Sequence, residues 1–153
     1  MASRAVAILL GLLTLAFAGR VVGQAMQRWS PQAWLPAFDA FQGSRLPYGL
    51  LLTVQIALLA LMVRLVIRTW YRRPPPRDGV VAVALILSAL YLIGSLTRIA
   101  IGLAWAGAPA WFTTWIPAAF HVVLALFACA WSAHAASTRS RHGAGVTIGS
   151  NPG

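Results

Sequence analysis

Four apolar stretches leave this chain few folds to choose from. They cover about residues 5–26, 48–70, 79–104 and 112–136. A helix needs about 20 apolar residues, rising about 1.5 Å each, to cross a hydrocarbon core of about 30 Å. The last three stretches meet that length cleanly, while the first is interrupted by Arg20 and is marginal. In lipid every backbone N–H and C=O must be bonded within the protein, so runs of this kind span as helices. The expected fold class is therefore all-α, an integral membrane bundle of four transmembrane helices. Residues 1–136 form a single transmembrane domain, and residues 137–153, small and polar without a period, form a flexible cytoplasmic tail. Composition agrees: 9% of residues are charged, against about 25% in soluble domains. No internal repeat is present.

The first stretch also reads as a signal peptide. Arg4 is a basic start, Ala5–Phe17 an apolar core, and Ala16, Phe17 and Ala18 match an A-x-A cleavage site. Against cleavage, Val21–Gln24 prolongs the apolar run and Arg20 can snorkel at a helix end. A retained helix is expected. Gly19 and Gly23 form a single small-xxx-small pattern.

The net charge is +10, from twelve arginines against Asp39 and Asp78, with no lysine. The arginines flank apolar segments, which points to anionic lipid head groups and not to nucleic acid. Arg72, Arg73 and Arg77 lie between the second and third spans, with Arg64 and Arg68 just before them. Arg4, Arg139 and Arg141 flank the ends, while the stretch between the third and fourth spans carries no charge. The positive-inside bias therefore places both termini and the middle loop in the cytoplasm, in a cytoplasmic (inner) membrane. Arg28 and Arg45 weaken that bias without reversing it. Trp70 and Tyr71 then mark the inner boundary, and Trp105, Trp111 and Trp115 the outer one.

Local signals refine the connections. The prolines of "RPPPRDG" predict a stiff polyproline turn, after which Asp78 suits the N-cap of the third span. In the first outer loop, Ser30 as N-cap, Pro31 at the first helical position and Gly43 as a stop predict a short interfacial helix. Trp34, Phe38 and Phe41 form an aromatic stripe along it, which Pro36 would kink.

Chemistry is sparse. In the third span Ser88, Tyr91, Ser95, Arg98 and Gly102 share one narrow face, with Thr97 opposite. A polar face inside a membrane turns toward protein or water. Gln55, Arg98 and His121 each fall in the outer half of a different span, with Tyr91 and Ser95 extending the cluster inward. The candidate ligand-binding residues are thus Gln55, Tyr91, Ser95, Arg98 and His121, with Asp39 as the acid that could neutralise Arg98. His121, Ala125, Ala128 and Ser132 make a small-residue face for helix packing.

No cofactor is expected. A quinone would suit a pocket of arginine, histidine and aromatic residues. Haem b would not, because His121 and His134 differ by about 220° around their helix and no other span holds a histidine. Three histidines and two aspartates in scattered positions make no zinc site. Ser95 and His121 lack the surroundings of a nucleophile–base dyad. Cys129 is the lone cysteine, so thiol relays and intrachain disulfides are excluded. No span carries Asp or Glu, which argues against carboxylate-coupled transport. With no complete catalytic constellation, the leading expectation is a non-enzymatic accessory or structural subunit of a larger membrane complex, or a homo-oligomer. The alternative is a binder of quinone or anionic lipid, or a redox or lipid enzyme, with an outward-half polar pocket.

Overall fold

The first helix is longer than its apolar run. In the computed structural model, which describes residues 2–41, 46–74, 76–105, 107, 112 and 114–146, α1 spans Ala2–Trp29. Good helix formers carry it past Met26, and the Ser30 N–H still bonds the Met26 carbonyl at 2.7 Å. Pro31 stops it by disfavouring helical geometry at the residue before. Ser30 thus closes α1 and does not cap a following helix. The connection is held instead by Gln27, whose Oε1 accepts the Gln32 N–H at 2.6 Å. The expected interfacial helix shrinks to α2, Phe38–Phe41, and Trp34 lies outside it. Gly43 and Arg45 lie outside the described residues.

The remaining helices are α3, Tyr48–Trp70, α4, Asp78–Ala104, and α5, Trp115–Val146. Arg77, not Asp78, holds the N-cap position of α4, and Asp78 is its first helical residue. Pro74, Pro76 and Arg77 are non-helical as expected, and Pro75 and Trp111 lie outside the described residues. The last helix runs to Val146, ten residues beyond the expected boundary at 136 and into the stretch read as a flexible tail. No proline interrupts residues 137–146 to stop the helix.

Helices α1, α3, α4 and α5 are each long and apolar enough to cross a membrane, and the fold is an all-α four-helix membrane bundle with one short extra helix. Their buried residues repeat at sevens, the spacing of near-parallel helices. On α1 the buried seam is Ala7, Leu10, Thr14, Phe17, Val21 and Gln24. On α3 it is Gln55, Met62 and Thr69. On α4 it is Val81, Ser88 and Ser95 with Arg98, and on α5 Ala118, Ala125 and Ser132. Leu10, Phe17, Val21, Met62 and Phe127 form the core cluster.

Space does not follow chain order. Helix α3 packs on α1, α1 on α5, and α5 on α4, the most extensive of these pairings. Small residues allow that approach, and the Ser88 and Ser132 hydroxyls meet across it at 3.4 Å. By contrast α3 and α4, joined by a short loop, scarcely touch. The small-residue pair on α1 is not used between these helices: Gly19 is exposed, and Gly23 faces the Phe41 ring of α2.

Candidate functional site

The parting of α3 from α4 leaves a cavity of about 280 Å³. Its floor is built by α1 and α5 through Phe17, Arg20, Pro117, Phe120, His121 and Leu124. One wall is α3, through Leu51, Val54, Gln55 and Leu58, and the other is Tyr91 of α4. Leu46, Val54 and Tyr91 are exposed at its mouth. The lining is mostly apolar, with four polar side chains converging on it: Arg20, Gln55, Tyr91 and His121. Concave apolar sites with a few placed polar groups are the usual form of a ligand site.

Three of the five expected site residues therefore meet. Tyr91 and His121 hydrogen-bond through the phenol oxygen and Nδ1, and their rings stand edge to face with centroids 5.8 Å apart. Gln55, 4% exposed, donates from Nε2 to Gln24 Oε1 at 3.1 Å. That amide pair joins α3 to α1, and it leaves Gln55 Oε1 and Gln24 Nε2 buried without partners.

The other two expected residues stand apart from the cavity. Ser95 bonds the Tyr91 carbonyl of its own helix at 2.7 Å. Arg98, 5% exposed, does face the bundle, but its Nη2 donates to Thr114 Oγ1 just before α5, at 3.1 Å. The physical reason is the order of packing. Because α4 lies against α5 and not α3, the Ser88–Arg98 face is covered by α5, and Gln55 finds its partner on α1. Asp39 is exposed on α2.

Arg20 supplies the cation that Arg98 was expected to bring. It is no snorkelling end residue, since α1 continues for nine residues beyond it. Its Nη2 donates to the Phe41 carbonyl at 2.9 Å, its guanidinium lies 5.6 Å from the Phe120 ring centroid, and its Nε is buried without a partner. The signal for Arg20 and Gln24 was present in α1. Gln24 continues the alternating three- and four-residue seam, and Arg20 borders it three residues after Phe17 and four before Gln24.

The aromatic trio divides. Phe41 is buried, Trp34 is exposed, and Phe38 stands edge to face with Tyr48 at 5.3 Å. Trp29 contacts the same tyrosine at 5.6 Å. Among the described residues no three His, Cys, Asp or Glu side chains gather to hold a metal ion. Set against family models, curated proteins and solved structures, the chain matches none of them.

Proposed function

We propose that this protein binds a membrane amphiphile in the cavity between α3 and α4. The ligand's polar end would sit among Arg20, Gln55, Tyr91 and His121, and its apolar body against Leu51, Val54, Leu58 and Leu124. The observation that carries this reading is the convergence of four polar side chains from four helices on one apolar cavity. Such groups are costly in a membrane interior unless they are paired or used. The test is gentle extraction followed by intact-complex mass spectrometry and a visible absorption spectrum. A stoichiometric lipid-like adduct, lost in Gln55→Leu and His121→Phe while the bundle stays folded, is the expected result. Adduct-free protein in every preparation overturns it.

A second reading is the accessory subunit of a larger membrane complex. It is favoured by how little of α3 is fully buried, one seam of Gln55, Met62 and Thr69, while Leu50, Ile56, Leu61, Val63 and Ile67 are exposed to lipid or to a partner helix. The same spectrum separates the two, because a subunit brings a larger protein with it in fixed ratio.

The proposal includes a cytoplasmic membrane, with Arg4, Arg64, Arg68, Arg72, Arg73 and Arg77 at the cytoplasmic end and the first span retained. Leu10 and Phe17 in the core support retention, since cleavage after Ala18 removes both. The intact mass of the membrane-extracted protein tests this point. For orientation, Cys129→Ser is combined with single cysteines replacing Arg73 or Ala104. A membrane-impermeant maleimide should label the Ala104 site in intact cells and spare the Arg73 site. The reverse pattern refutes the assignment.

A further inference from the structure

We infer that the ligand is a single-chain amphiphile carrying an ionised carboxylate. The inference rests on the binding reading above and names the chemistry of that same site. Its starting point is charge. Arg20 is a permanent cation within a membrane-spanning helix. Among the described residues no carboxylate pairs with it: Asp39 is exposed, and Asp78 begins α4 near the opposite end of the bundle. A backbone carbonyl and an aromatic face support the guanidinium, but neither neutralises it. Arg20 lines the cavity, so its positive field acts on the cavity's polar end. A neutral carbonyl ligand leaves that field uncompensated, whereas an anion cancels it.

Geometry narrows the anion. The buried Nε–H of Arg20 has no partner. A planar carboxylate pairs with Nε–H and an adjacent Nη–H together, the two-point mode that suits a guanidinium. Gln55, which also lines the cavity, has an Oε1 acceptor without a partner. That acceptor suits a headgroup that keeps a hydroxyl or water alongside the carboxylate. The cavity's size suits one chain. About 280 Å³ lies just under the range of drug-sized sites, about 300–1,000 Å³. One chain fits against Leu51, Leu58 and Leu124, and its remainder leaves through the parting of α3 and α4 into the bilayer.

The test uses the full-length protein in nanodiscs of zwitterionic lipid, with calorimetry of three probes: dodecanoate, methyl dodecanoate and a short-chain benzoquinone. Dodecanoate should bind about tenfold or more tightly than its ester, the scale of a charge-assisted bidentate pair. Arg20→Gln should bring the acid down to the ester's level, a far larger loss than the ester's own, and Arg20→Lys should fall between. Should Arg20 variants fail to fold, the wild type alone suffices: binding of the acid must fade as its carboxyl protonates, while ester binding stays flat. Equal binding of acid and ester, or binding of the quinone alone, overturns the carboxylate inference and leaves the binding reading intact. Failure of all three probes overturns the inference and counts against the binding reading as well.

Discussion

Two residues show how little of a side chain's role its identity decides. Arg98 and Arg20 are both arginines in apolar helices, yet one ties α4 to Thr114 and the other borders the cavity with an unbonded Nε. Helical periodicity was enough to find the buried face of Arg98. It could not find the role of Arg20, because that depends on which helix α1 meets. The Gln24–Gln55 bond is equally unreadable from one span, since a glutamine in an apolar run does not name its partner. Both amides are desolvated, so a double-mutant cycle with leucine should give a coupling of about 0.6 kcal/mol, and at most about 1.7, as for other interhelical hydrogen bonds in membranes. A coupling of zero would mean the pair does not form. Arg72 stands at the end of α3 with φ 52°, while the Arg73 N–H bonds the Arg68 carbonyl and the Arg72 N–H the Thr69 carbonyl. This is the two-bond helix ending usually completed by glycine. Arg72→Gly should therefore raise stability by about 0.5–1 kcal/mol, read in denaturation from detergent micelles, because the left-handed conformation penalises a side chain.

At the scale of elements, the spans were legible and their connections less so. The expected bounds of the second span, 48–70, coincide with α3, because long apolar runs have abrupt ends. The connection after α1 misled because Ser30-Pro31 starts a helix as readily as it ends one. Only the continuation of α1 through Trp29 decides between those roles. The polar face of α4 was expected to turn toward protein or water, and the small-residue face of α5 to pack against a helix. Ser88, Ser95 and Arg98 are buried on the first, and Ala125 and Ser132 on the second. Lipid tails are as apolar as the helices, so this contact depends on close fit and not on escape from water. Ala125→Leu should then cost about 1–3 kcal/mol by overpacking, measured by unfolding in mixed micelles. Thr97→Leu, on the exposed side of α4, should change stability by less than about 0.5 kcal/mol.

The whole molecule is two hairpins joined along α1 and α5. The first pairs α1 with α3, the second pairs α4 with α5, and chain order says nothing of the gap between them. Neighbouring elements usually pack together, but α3 and α4 do not, and Gln55 and Arg98, expected at similar depth, are not brought together. The absence of that contact, invisible in any single segment, makes the cavity. It also bears on how the protein is made. Synthesis is vectorial, so α1 and α3 leave the ribosome ahead of α4 and α5, and the membrane receives one pair and then the other. Pro74 and Arg77, in the connection between the two pairs, are exposed. Fragments 1–74 and 76–153, expressed together from separate messages, should find each other in the bilayer and co-purify. Neither fragment alone should yield the assembled bundle. Biogenesis of this small protein then resembles the assembly of a heterodimer whose two subunits happen to share one reading frame.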